Sequence, residues 1–528
     1  MTMHPYRWGD PTHVVPLPAA ANAALTALGV HTPPAPVPPG QAAVPDSILP
    51  NAARTELENA VGAEHVTSDH DARVAHTRGW STPDLLKLRA GDASDAPDAV
   101  VFPASADEIV RVLAICTEHR IAAVPFAGGT SVVGGLVATR AGFAGVIAVD
   151  VRRLDKLTAL DAESRTATLQ AGVRGTAAEH MLNERGYTLG HFPQSYEGAS
   201  IGGYAAARSA GQSSAGYGRF DEMVVGLVLA TPRGLITMGT AQRSAAGPDL
   251  RQLVLGSEGT LGVITEVTVR IHPTPDVRVF DGWRFADFQA GAAALRRLVQ
   301  DGPMPTVLRL SDEMETAVNL ADPTGTGESG QSTPSGCLAI AGYEGTAADT
   351  ENRRAIASAV LTEAGGENLG TEPGEAWRVG RYQAPYLRDP LLDAGALVET
   401  LETVTFWSNL AALRAAVTTA LTDALTAQGT PALVLCHISH VYEAGASLYF
   451  TVLCAQAADP LAQWASAKAA ANAAIRAAGA SITHHHGVGT DHRASYQQEI
   501  GPLALEVLRA AKASLDPAGI LNPGVLLG

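Results

Sequence analysis

Three glycine-rich segments, each bordering a strongly apolar run, restrict this chain more than any other feature. The first, PFAGGTSVVGG (125–135), continues the apolar stretch IAAV. Glycines let backbone N–H groups approach an anion closely, and Thr130 and Ser131 add hydroxyl donors, so the segment can cradle a pyrophosphate. It matches neither the GxxxxGKS/T phosphate loop nor GxGxxG. Taken alone, it also reads as an ordinary glycine turn. The second, HFPQSYEGASIGGYAAARSAGQSSAGYG (191–218), is crowded with small and hydroxyl residues and suits an extended ligand. The third, GSEGTLGVITEVTVRIHP (256–273), ends in a strong strand pattern.

The surrounding sequence alternates. AVVFPAS, IAAVPF, GVIAVDV, TATLQAGV, MVVGLVLATPRG and GVITEVTVRIHP read as strands, and SADEIVRVLAICTEHR as a helix capped by serine or aspartate. This mixture predicts an α+β domain over 96–275; a regular Rossmann unit keeps a stricter alternation. From 276 to 480, alanine- and leucine-rich helical stretches alternate with strand candidates such as PALVLCHISHVY and ASLYFTVLCA, predicting an α+β cap with an antiparallel sheet. Residues 1–95 carry an aromatic opening (Tyr6, Trp8), a proline-rich stretch (32–45) read as a wrapping arm or linker, and a helical segment. The polar loop 321–336 reads as mobile, and 481–528 as a segment completing the site and the first domain.

With 46% apolar and 17% charged residues the chain affords a sizeable core. A net charge of −16 speaks against a general nucleic-acid binder but leaves room for one local anion pocket. Cys116, Cys337, Cys436 and Cys454 are scattered, so neither a disulfide framework nor a zinc knuckle is signalled. Without a membrane-length apolar run or a signal-peptide core, a cytoplasmic protein is expected; the ending LLG carries no peroxisomal tripeptide.

In their order and composition the three loops resemble the FAD-binding domain of the vanillyl-alcohol-oxidase-type flavoproteins. The resemblance implies a two-part FAD domain plus cap. It implies FAD contacts from Pro125, Phe126, Ala127, Gly128, Gly129, Thr130 and Ser131 in the first loop. Gln194, Ser195, Tyr196, Glu197, Gly198, Ala199 and Ser200, then Ala207, Arg208, Ser209 and Ala210, supply the second. Glu258, Gly259, Thr260, Leu261, Gly262, Val263 and Ile264 supply the third. Ala127 stands where glycine is usual, a small cost if its φ stays negative. Thr130 stands where some relatives carry a flavin-linking histidine, so the FAD is expected to be noncovalent.

GASLYFTV places Ser447, Tyr449 and Thr451 on one strand face. A tyrosine serves as a base at neutral pH only beside positive charge or strong donors, and a core tyrosine is the commoner outcome. HHHGVG (484–489) lacks metal-ligand spacing, so no metal is expected; it can place two imidazoles in a pocket with a third behind them. His437 and His440 read as structural. With RGWSTPDLLKLRAGD, WRVGRYQAPYLRD, YRWGDP and LDPAGILNPG, these motifs resemble the alkyldihydroxyacetonephosphate synthase branch, from about Tyr6 to Asn522. By that likeness Tyr449 is the acid/base tyrosine and His484, His485 and His486 are the active-site triplet. Arg388 is a substrate-binding arginine, and Arg309 a further arginine important for activity. Ser447 replaces a frequent cysteine.

The resemblance implies exchange of the acyl group of an acyl-dihydroxyacetone phosphate for a fatty alcohol, through an adduct at flavin N5 and with no net redox change. Deprotonated Tyr449, stabilised by imidazole or guanidinium, would be the base, and Arg388 with the histidines would hold the phosphate. A homodimer and contact with a membrane face for lipid access are further expectations. An FAD-linked dehydrogenase or oxidase of a hydroxy acid or alcohol would use the same domain, tyrosine and histidines. A flavin-binding module without turnover is disfavoured by retention of Tyr449, Arg388 and the triplet together.

Overall fold

The computed structural model describes residues 4–9, 16–17, 25–137, 139–140, 142–317 and 336–527. Residues 321–335 of the expected polar loop lie outside them.

The strands Ala99–Val101, Gly145–Asp150 and Ile121–Phe126 form a parallel sheet in that spatial order, with Val66–Thr67 antiparallel at one edge. Their unbroken apolar runs suit strands buried on both faces. The helix Ala106–Glu118 crosses over between the first and third of these. The Ser105 hydroxyl accepts from the Glu108 N–H at 3.1 Å, and Ile109, Val112, Leu113 and Cys116 are buried at the spacing of one helix face. A second, antiparallel sheet runs Leu157–Asp161, Thr166–Gln170, Val263–Arg270, Val224–Thr231, Gly234–Met238 and shares one apolar core with the first.

The cap is a seven-stranded antiparallel sheet in the order Glu367–Gly370, Val277–Phe285, Cys337–Gly345, Val307–Ser311, Leu433–Val441, Gly445–Ala455, Ala396–Phe406. The helices Phe288–Asp301, Ala347–Glu363, Leu410–Thr426 and Pro460–Ala477 cover one face. Alternation decides which side chains go where: Leu448, Phe450 and Val452 enter that helix-covered core, leaving Tyr449 and Thr451 on the opposite face, towards the first domain.

Two segments close the interface. The proline-rich stretch is extended apart from one 3-10 turn, Pro39–Gln41, and lies along 89–93 through Val37 N to Arg89 O (2.8 Å) and Ala43 N to Gly91 O (2.7 Å). At the other end of the chain, Leu521 bridges Ala123 in parallel, adding to the edge of the first sheet. The Asn522 amide donates to Gly135 O (3.0 Å) and Glu258 O (2.7 Å), tying two glycine loops together. No helix among the described residues is long and apolar enough to cross a membrane.

Candidate active site

Between the cap sheet and the first domain lies a cavity of about 490 Å³. Its floor is the three glycine loops. At Gly128 a Cβ would meet Gly198 O at 2.5 Å and the Ala199 Cα at 2.8 Å, so the first and second loops touch backbone to backbone. Gly129 takes φ +70, whereas Ala127 keeps a negative φ and sits there without strain. Pro125 through Ser131, Gln194, Ser195, Ala199, Ser200, Ala207, Ser209, Ala210, Glu258, Gly259 and Gly262 through Ile264 all border the cavity. This long, narrow, small-residue trough fits the dinucleotide expected from the sequence.

Six of the expected cofactor contacts lie elsewhere, each for a visible reason. Tyr196 stacks on Tyr382 (5.4 Å). Glu197 accepts from the Tyr386 hydroxyl (2.7 Å) and Trp8 Nε1 (3.4 Å), anchoring the N-terminal aromatics. The Gly198 carbonyl accepts from Arg174. Arg208, at φ 51, turns its guanidinium to Leu255 O (2.9 Å) and Asp221 (3.0 Å). Thr260 bonds Ser257 O (2.7 Å), and with Leu261 it faces a second cavity.

The opposite wall carries Tyr449, His485, His486, Arg309 and Arg388, together with Arg381, His437 and His440. His484 is the exception among the predicted catalytic residues: it sits behind His485, its Nε2 2.6 Å from the Tyr442 hydroxyl, and borders the second cavity. The reading of His437 and His440 as merely structural is corrected. His437 is the direct cross-strand neighbour of Tyr449, stacks on it at 5.0 Å, and bonds Glu315 at 2.9 Å. His440 Nε2 bonds Gly211 O at 3.1 Å from within the cavity wall.

What holds the histidine run is Glu402, a residue that sequence reasoning missed. Its buried carboxylate accepts from the N–H groups of His484 (2.6 Å), His485 (3.0 Å) and His486 (2.9 Å), and from the Thr483 hydroxyl (2.6 Å). It lies directly opposite Tyr449 across the strand pair. Against its burial, attraction to His485, His486 and His484 and the Thr483 hydrogen bond hold this carboxyl well below the usual carboxylate range. Two acids, Glu399 and Glu402, inside the strand ALVETLETVTF were the available signal.

Burial keeps the imidazoles neutral: His485 is lowered to about 3 and His486 to about 4, with Glu402 opposing; His440 and His484 are also depressed by burial. Burial pushes the Tyr449 hydroxyl up to about 12, with Glu399 and Glu402 adding to the rise and Thr400 and Arg388 opposing it. Burial thus favours the protonated form of Tyr449 at rest, not the phenolate expected from the sequence. His440, His484 and His485 bring ring nitrogens within 4.8 Å of one another. Those nitrogens already bond within the protein, to Ser439, Gly211 O, Tyr442 and each other.

Three guanidinium groups converge on this wall despite the net charge of −16. Arg309 pairs with Glu315 (3.1 Å). Arg388 Nη1 donates to Trp80 O (2.7 Å), while its Nε is buried without a partner among the described residues. Arg381 lies over the rings of Phe192 (5.0 Å) and Trp377 (5.8 Å) and has an unpartnered, buried Nη1. Trp8, Trp80 and Arg381 were also missed as cavity residues.

Comparison with known proteins agrees with this geometry. Residues 97–239 match the family model "FAD binding domain" and 274–526 match "FAD linked oxidases, C-terminal domain". The alkyldihydroxyacetonephosphate synthase of Dictyostelium discoideum is 32% identical over 490 residues, covering 89% of this chain and 80% of the relative. The mitochondrial cytochrome-linked D-lactate dehydrogenase of Arabidopsis thaliana is 27% identical over 480 residues, 88% of this chain and 78% of the relative. A solved alkyldihydroxyacetonephosphate synthase structure superposes with a TM-score of 0.85 at 27% identity, covering 99% of this chain and 98% of the other. Two lobes about a glycine-loop trough, matched along their whole length, place this chain in the FAD-linked oxidase family of the vanillyl-alcohol-oxidase type.

Proposed function

We propose that this chain exchanges the acyl group of an acyl-dihydroxyacetone phosphate for a long-chain alcohol, using noncovalently held FAD. The observation that carries this reading is the arginine wall: Arg388 and Arg381 both line the cavity beside Tyr449, in a strongly acidic protein. A phosphate dianion answers two such donors, and Arg309, already committed to Glu315, supports the wall behind them. The synthase relatives share the lengthwise match.

FAD would lie on Pro125–Ser131, Ser195, Ala199, Ser200 and Gly259–Ile264 as far as these face the trough, and would supply an electrophilic ring for the substrate carbon. Thr130 offers no imidazole for a covalent link. The protein's part is placement and proton handling. The arginines fix the phosphate, which orients the adjacent carbon toward Tyr449. The Tyr449 phenol must give up its proton before it can take one from the substrate carbon. His485 and His486, whose ring centres lie 6.2 and 5.5 Å from that of Tyr449, are basic groups on the same wall, and Glu402 would stabilise an imidazolium formed there.

The second reading, oxidation of a 2-hydroxy acid, draws on the D-lactate dehydrogenase likeness. A carboxylate needs only one of these two arginines. Two measurements separate them. Labelled hexadecanol supplied with acyl-dihydroxyacetone phosphate is expected to enter product with equal release of fatty acid and no lasting flavin bleaching. Anaerobic bleaching by a hydroxy acid without alcohol incorporation would overturn the proposal in favour of the dehydrogenase.

A further inference from the structure

Behind the histidine wall is a second cavity of about 460 Å³, bordered by Arg208, Arg219, Thr483, Tyr496 and Glu499. His485 faces both cavities, and His484 faces the rear one. A line of hydrogen bonds runs from His485 through His484 and Tyr442 to Arg219, which also borders the rear cavity. His485 Nδ1 is 3.0 Å from His484 Nδ1, and His484 Nε2 is 2.6 Å from the Tyr442 hydroxyl. Arg219 donates to the same hydroxyl and is itself held by Asp221 (3.1 Å) and Arg208 O (3.0 Å).

An imidazole–imidazole contact through two Nδ1 atoms requires one proton between two lone pairs, so one ring is donor and the other acceptor. Interchanging the two tautomers moves a proton along the line without moving a heavy atom. The geometry points to a relay in which His485, His484 and Tyr442 carry the proton released in the first cavity to solvent beside Arg219, at the edge of the second. In the forward step His485 Nε2 takes the proton and its Nδ1 proton passes to His484 Nδ1. The His484 Nε2 proton then passes to the Tyr442 oxygen, and the phenol's own proton leaves to water; every group ends neutral, with its tautomer reversed.

The charges around the line fit transit rather than storage. Glu402, 3.7 Å from His485, favours a proton entering there. Arg219 and the His440 ring (4.7 Å from His484) disfavour a cation dwelling further back. Burial holds both rings neutral at rest, so each has a lone pair to offer. The inference goes beyond the proposed reaction, because acyl exchange and hydroxy-acid oxidation both release a substrate proton in the first cavity.

The test needs neither substrate. Photoreduction of FAD in the loaded, full-length chain consumes protons, and a pH-indicator dye reads the rate of their uptake; a relay serves both directions. Tyr442→Phe keeps the ring and removes only the hydroxyl. It is expected to slow proton uptake by at least about tenfold, with FAD content and thermal midpoint unchanged, and added imidazole buffer is expected to restore the rate. His484→Gln provides the same reading should Tyr442→Phe lose FAD. Uptake as fast as wild type in both variants, or slow uptake that imidazole leaves unrescued, would overturn the relay. Because no acyl or hydroxy-acid substrate enters the assay, neither outcome depends on the proposed function.

Discussion

At the scale of single residues, the site is organised by one carboxylate and several uncharged rings. Glu402 uses backbone donors to fix three consecutive histidines, so the imidazoles are aimed by their main chain rather than by their own packing. This arrangement has a pH signature. His485 and His486 titrate at about 3 and 4 when folded, against 6.5 in the unfolded chain. Between those values the unfolded state binds more protons, so stability is lost as pH falls below 6.5, by about 1.4 kcal/mol per pH unit for each ring. Glu402, held below its usual 4.5, adds a loss of the same sign as pH falls further. The urea midpoint is expected to drop steeply from pH 6.5 toward pH 4, and His486→Gln is expected to flatten that slope. A pH-independent midpoint across this window would contradict the neutral, buried triplet.

At the scale of elements, long-range polar ties join pieces that pattern alone leaves separate. The fully buried Asp98 accepts from Ile48 N (2.9 Å), Val146 N (2.7 Å) and Arg140 Nη1 (2.6 Å), fastening the end of the N-terminal arm to the parallel sheet. Asp98→Ala removes the acceptor of the buried Val146 N–H and of the Ile48 N–H, and leaves Arg140 only its bond to Ala96 O. It is expected to cost about 3 kcal/mol, read as a fall in the urea midpoint at unchanged slope. Such ties also mark where sequence reading stops. The strands and the helix Ala106–Glu118 were legible because apolar runs and a 3.6-residue spacing are local signals. Tyr449 was legible through its alternating strand. His437 and His440 were not, since their place in the cavity comes from pairing Leu433–Val441 against Gly445–Ala455, a register no single segment encodes. Arg208 was misread because a left-handed backbone at that residue turns an apparent loop contact to the other side.

At the scale of the whole molecule, the trough is assembled from distant stretches: glycine loops of the first domain, the cap wall, and the run after 481. A ligand binding only the assembled form stabilises all of it at once. With FAD at about 1,000 times its Kd, the folded state is expected to gain about 4 kcal/mol, seen as a higher thermal midpoint. Gly128→Val should forfeit that gain, because its Cβ would occupy the backbone contact with Gly198 and Ala199; flavin fluorescence of the purified variant reports the loss directly. The three loops announced this trough in sequence and 481–528 was read as completing it, but the particular ties did not show: Leu521 and Asn522 reach back to Ala123, Gly135 and Glu258. That return has a biosynthetic consequence. As a ribosome extrudes the polypeptide, the dinucleotide lobe emerges early yet stays unlatched until residues 516–522 can reach back, so a chain cut before Asp516 is expected to hold the cofactor more weakly than one that includes them.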